Sequence, residues 1–153
     1  MRWLSAMLMV ATLAGCVGGT PLPAPPVGPV PDLIGTWRGT WGGEPVTLLV
    51  SEQTDAGYSG IFVSGDHLMG PRRPGVSGVL TSTIRGAAVS SRAVGWLGND
   101  ASGRLVLVVQ TETPDGLQRL TLARVGDDQL QGTGEASFRW GPKGPARLTR
   151  QPR

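Results

Sequence analysis

A period of two runs through most of the chain beyond residue 35, and it restricts the folds open to this polypeptide. Leu130, Gly132, Gly134, Ala136, Phe138 and Trp140 alternate with Gln131, Thr133, Glu135, Ser137 and Arg139. Successive side chains of a strand point to opposite faces, whereas a helical stripe recurs about every 3.6 residues, so this segment predicts a half-buried strand. Trp37, Gly39 and Trp41 against Thr36, Arg38 and Thr40 predict a first strand, and Val46, Leu48 and Val50 continue the pattern after Gly42-Gly43. Further strands are expected over residues 58–65, 75–84, 87–97, 104–112, 117–125 and 146–150. Asp55-Ala56-Gly57, Gly98-Asn99-Asp100, Pro114-Asp115-Gly116 and Gly126-Asp127-Asp128 supply turn chemistry between them. Residues 105–109 are almost continuously apolar, which leaves the register of that strand open. No segment carries a helical stripe.

Eight or nine such strands in about 120 residues make one all-β domain, residues 32–153. The expected architecture is a single antiparallel up-and-down β-barrel of about eight strands, with a β-sandwich as the alternative. Gly39, Gly60, Gly78, Gly95, Gly132 and Gly134 fall inside the strands. Glycines there suit the bends that let a small sheet coil and close, which removes exposed edges.

The N-terminus follows different physics. Arg2 precedes a mostly apolar run over residues 4–13, interrupted by Ser5 and Thr12. A run of about 10 residues is half of what a bilayer-spanning helix needs, so it reads as the hydrophobic core of an export signal. Leu13-Ala14-Gly15-Cys16 closes it, and Cys16 is the only cysteine of the chain. These four residues resemble the lipobox of bacterial lipoprotein precursors. That resemblance implies a signal peptide over residues 1–15, cleavage before Cys16, and a diacylglycerol thioether with palmitate-type acyl chains on that residue. Two or three acyl chains would hold the protein to the membrane essentially permanently. The expected address is the bacterial cell envelope, and Val17 in place of Asp after the cysteine points to the outer membrane in a Gram-negative cell. Residues 16–31 follow, uncharged and carrying Pro21, Pro23, Pro25, Pro26, Pro29 and Pro31. So proline-rich a stretch lacks backbone donors and predicts an extended tether.

At the start of the β domain, Gly35-Thr36-Trp37 resembles the opening strand of the calycin barrels, which include lipocalins and avidins. Gly35-Thr36-Trp37-Arg38-Gly39 is also similar to the opening of nitrobindin-like haem barrels. The lipocalin likeness implies that Trp37 plugs the closed end of a barrel with a late basic residue, Arg147 or Arg150, packed over it. It also implies an interior that could take a small apolar or amphipathic ligand. Trp37, Trp41, Phe62, Phe138 and Trp140 are the candidate interior or ligand-facing residues. The residues that hold haem or biotin in those families are not matched here, since the single histidine, His67, falls in an expected loop over residues 65–70.

Catalytic chemistry finds little purchase. With His67 the one histidine and the sole cysteine committed to lipid, a Ser-His-Asp or Cys-His arrangement is nearly excluded, and zinc would lack its preferred ligands. Asp127-Asp128 and Glu135 read as a turn pair and an outward strand residue, and Gly132-Thr133-Gly134 lacks the Lys-Ser/Thr of a phosphate loop. No cofactor and no metal site are expected. The formal charge of +3 is ordinary, and an exported chain is no partner for nucleic acid. Basic clusters at Arg72-Arg73 and between Lys143 and Arg153 read as solvated loop and tail residues, or as contacts to anionic lipid or cell-wall polymers. The expected role is that of a non-catalytic structural or interaction module, anchored to membrane lipid through Cys16 and meeting an envelope protein. A calycin-like carrier of a small apolar ligand is the alternative.

Overall fold

The computed structural model describes residues 23–55, 62–63, 66–67 and 74–153. The strands are β1 (Gly35–Trp41), β2 (Glu44–Thr54), β3 (Phe62–Val63), β4 (Asp66–His67), β5 (Gly75–Ile84), β6 (Ala87–Asn99), β7 (Leu105–Thr113), β8 (Gly116–Gly126), β9 (Gln129–Ala136) and β10 (Gly144–Arg150). Eight of them form a closed antiparallel barrel in the order β1, β2, β5, β6, β7, β8, β9, β10, and β10 pairs back onto β1. Trp37 stands between Leu48 of β2 and Arg150 of β10 in that ladder. The architecture is therefore the up-and-down barrel and not a sandwich.

Turn geometry explains the hairpins. Gly42 and Gly43 have φ of 59° and 87°, the pair of positive values that a two-residue type I′ turn demands and that matches the twist of the strands it joins. Arg85 and Gly86, with φ of 52° and 78°, repeat the device between β5 and β6.

Coiling of the sheet rests on missing side chains. A Cβ on Gly39, Gly78 or Gly132 would lie 1.7–1.8 Å from a carbonyl oxygen of the neighbouring strand, respectively Arg147, Leu49 and Thr121. Only glycine lets the backbones approach this closely. Gly134 works differently: its Cβ would fall 2.4 Å from the Trp41 indole and 2.5 Å from Leu120 Cδ2. It faces inward and leaves its side-chain volume to Trp41.

The core lies inside the barrel. Trp37, Trp41, Val46, Leu48, Val50, Val76, Leu80, Leu97, Leu107, Val109, Leu120, Leu122, Leu130 and Leu148 are all at most 2% exposed and form one cluster. Trp96, Val106 and Val108 make a second, on the outer side of β6 and β7. That second cluster accounts for the unbroken apolar run in β7, which is buried on both faces.

Three expectations change. Residues 130–140 do not form one continuous strand. β9 ends at Ala136, where Ser137 exchanges hydrogen bonds with Leu117 (N to O 2.8 Å, Leu117 N to Oγ 2.9 Å), and the chain folds over so that Phe138 is buried on Ile84 and Ala136. His67 is not in a loop: β4 pairs with β3 as a separate two-stranded sheet, Phe62 opposite His67. The rest of the strand expected over residues 58–65 lies outside the described residues, as do the lipobox with Cys16 and the Arg72-Arg73 pair.

The proline-rich segment is also not a free tether over its whole length. Ala24 bridges to Asn99, whose N–H reaches the Ala24 carbonyl at 2.8 Å, and Val27 N donates to Asn99 Oδ1 at 2.7 Å. Farther along, the Gln53 amide accepts from Leu33 N at 2.8 Å and donates to the Pro31 carbonyl at 2.9 Å. Proline removes donors from this stretch, but its carbonyls remain, and the barrel supplies their partners.

Candidate functional site

The end of the barrel where β1 starts is sealed from within. Leu33, 1% exposed, enters the core ahead of β1, and Trp37 Nε1 donates to its carbonyl at 2.9 Å. Arg150 lies over the Trp37 ring with its guanidinium carbon 4.6 Å from the centroid, a cation–π contact, and also donates to the Asp32 carbonyl. Arg150 also pairs with Asp128, and Arg153 with Asp32 at 2.9 Å. The Asp32 carboxyl is held below its ordinary value, chiefly by the Ile34 N–H it accepts. Of the two basic residues expected over Trp37, Arg150 occupies the position. Arg147, one residue out of phase with the inward face of β10, is exposed on the outer wall.

Toward the opposite end the interior turns partly polar. Ser82 Oγ donates to Gln118 Oε1 at 3.0 Å between two buried side chains, and Thr111 Oγ1 donates to the Arg92 carbonyl at 2.7 Å. Trp41 is 1% exposed there, with its indole against Gly134. Ile84, Ala136 and Phe138 close over this layer.

Among the candidate interior residues, then, Trp37 and Trp41 belong to the barrel core and Phe138 to the cluster capping its far end. Trp140 is on the rim and not in the interior, 47% exposed. It stacks against Arg85 at 4.0 Å and donates from Nε1 to Asp115 Oδ1 at 3.1 Å. Phe62 sits on β3, and its side chain falls outside the described residues. Trp140, Trp41, Glu44, Thr83, Arg85 and Lys143 border a shallow recess of about 340 Å³ on this rim.

A larger concavity lies on the outer wall. It measures about 580 Å³ and spans β7 to β10, with Val106, Val108, Ala123 and Val125 among its apolar lining and Arg104, Arg119 and Arg147 as its cations. Arg104 is held by Asp100 at 2.9 Å. The Asp100 carboxylate also accepts from Ser102 and from backbone N–H groups, and these bonds lower its pKa to about 2. Arg119 is different: partial burial lowers its pKa, Glu135 opposes that shift, and its Nε is buried with no acceptor among the described residues. Nothing in the sequence marks this wall as hollow. Arg119, Thr121, Ala123 and Val125 were legible as the outward set of β8, but the period of two does not tell whether an outer face is flat or hollow.

These features define a class: an eight-stranded closed up-and-down antiparallel barrel with one end plugged by a tryptophan and an arginine, consistent with a calycin-like barrel. No protein-family model, curated protein or solved structure compared with the chain matches it. Its assignment therefore rests on geometry and on residues.

Proposed function

We propose that this chain is a lipid-anchored, non-catalytic interaction module of the bacterial cell envelope, acylated at Cys16 and working through the outside of its barrel. The observation that carries this reading is the filled interior. Trp41 occupies the volume left by Gly134, Leu33 and Trp37 seal one end, and the core side chains between them are almost fully buried. A carrier needs a concave pocket with a few placed polar groups, commonly about 300–1,000 Å³, and of the two concavities of that size described above the larger is on the outer wall and the smaller is a recess on the rim. Leu13-Ala14-Gly15-Cys16 supports the anchor, and Val17 supports the outer membrane as its destination in a Gram-negative host.

Two measurements test the reading. Metabolic labelling with radioactive palmitate should mark the wild-type chain and not Cys16→Ser, and the variant should leave the membrane fraction. Native mass spectrometry of the folded barrel should give the mass of the polypeptide alone. A small molecule retained at one per chain would return the protein to the carrier class.

A further inference from the structure

The outer groove has the chemistry of an anion site on an apolar floor. Val106, Val108, Ala123 and Val125 contribute hydrocarbon, and Arg119 and Arg147 contribute charge. Of the carboxylates nearby, Asp100 is engaged by Arg104 and Ser102, and Glu135, which stands opposite Arg119 in the β8–β9 ladder and acts on its charge, borders a neighbouring recess together with it. Arg147 forms no ion pair among the described residues, and Arg119, although Glu135 stands beside it, keeps a buried Nε–H with no acceptor among them.

The groove also lies at the end of the domain where the N-terminal segment joins it. Pro23 forms one end of the groove, and the chain is pinned there by the Ala24 and Val27 contacts to Asn99. Seven residue steps, from Cys16 to Pro23, separate that point from the expected acylated cysteine. Even fully extended as polyproline they reach only about 22 Å. A domain on so short a leash keeps the groove's Pro23 end close to the lipid headgroups.

We propose that this groove seats an anionic phospholipid of the anchoring membrane, with its phosphate between Arg119 and Arg147 and its glycerol and first acyl carbons on the valine floor. The location of the ligand rests on acylation at Cys16. The binding site itself does not, and the test separates the two.

Every described member of the core and its packed neighbours lies between Val30 and Leu148, so a chain starting at residue 16 keeps all of them. That chain, carrying Cys16→Ser, is sedimented with vesicles of phosphatidylcholine alone or mixed with phosphatidylglycerol. Binding to the mixed vesicles is expected and binding to phosphatidylcholine alone is not. Near a membrane surface each arginine contributes about 1 kcal/mol, so Arg119→Gln/Arg147→Gln should weaken binding by about 30-fold. Arg38→Gln/Arg92→Gln removes the same charge elsewhere on the barrel and should change binding by less than about threefold. Val125→Asp, an exposed position within the groove, should abolish binding without unfolding the domain, as thermal melts would verify. Equal losses for the two arginine pairs would reduce the effect to net charge and overturn the site. Inorganic phosphate binding as tightly as the vesicles would overturn the lipid. Loss of palmitate labelling with vesicle binding intact would remove the anchor and leave the groove standing.

Discussion

Adding one methyl group at Gly134 tests whether the barrel is filled. A Cβ there would lie 2.4 Å from both Cε2 and Nε1 of Trp41 and 2.5 Å from Leu120 Cδ2, whereas ordinary contact begins at 3.4 Å. Both neighbours must retreat by about 1 Å in a core packed at crystal-like density. Neither has an easy route, because Trp41 is 1% exposed and Leu120 is fully buried. Overpacking of this kind costs about 1–3 kcal/mol, so Gly134→Ala should be destabilised by about 2 kcal/mol. For a domain of this size that is a fall of roughly 6–12 °C in Tm. Trp41→Phe exchanges the fused indole for a single six-membered ring, which removes three ring atoms and the buried Nε1–H, a donor with no acceptor among the described residues. In the Trp41→Phe background the added methyl should be tolerated, giving a favourable coupling of about 1–2 kcal/mol between the two sites. Urea titrations followed by far-ultraviolet circular dichroism on the wild type, both single variants and the double variant provide the cycle. The contrast is Gly39→Ala, where the obstacle is the Arg147 carbonyl at 1.8 Å and not a side chain. There the β1–β10 ladder itself must part, at a cost of about 4 kcal/mol or more. If Gly134→Ala is as stable as the wild type, or if the two sites are additive within about 0.5 kcal/mol, the indole does not fill that space and the case against a carrier fails.

Other expectations follow from the sealed end and the turns. Leu33→Ala should cost about 2–5 kcal/mol in chemical denaturation, because the leucine is a buried plug belonging to the segment before the first strand. Arg150→Gln should cost about 1–2 kcal/mol through loss of the contact over Trp37, and Arg150→Lys should not restore it, since an ammonium cannot stack as a planar guanidinium does. The Asp100 pKa is depressed from 3.8 to about 2, so its carboxylate favours the folded turn above pH 3.8 and loses that effect as the pH falls toward 2. Amide exchange in the Asp100–Arg104 turn should accelerate over that window, and Asp100→Asn should already exchange fast at neutral pH with no further acid response.

Strand periodicity made most of the barrel legible from the sequence, because on a closed sheet every residue either enters the core or faces out. The same rule failed at Phe138 and Trp140. Their alternation continues that of β9, but the burial available to Phe138 on Ile84 outweighs two more ladder positions, and Trp140 is carried to the rim. Gly35-Thr36-Trp37 pointed to the plug, and the pairing of Trp37 with Arg150 follows from the register that places them side by side. The docking of residues 23–34 was hidden. Composition describes what proline cannot donate and is silent on the carbonyls that Asn99 and Gln53 find. The outer groove was hidden for a related reason, since it depends on how neighbouring strands curve and not on the order of residues within any one of them.

Closure through β1 and β10 also has a kinetic side. Six of the eight barrel pairings join strands consecutive in sequence, and β2 reaches β5 across the segment holding β3 and β4. The eighth joins the two extremes, with Trp37 against Arg150. Contacts between distant residues bear the largest loop-closure entropy, so this seam is expected to shut last. Until it does, the nascent sheet has two unsatisfied edges, each a template for pairing with another chain. Arg38 on one edge strand and Arg147 on the other both point outward, so like charges line the open edges and oppose their pairing with edges of other molecules. Arginines that do nothing for the finished barrel's core can thus protect the molecule while it is still an open sheet.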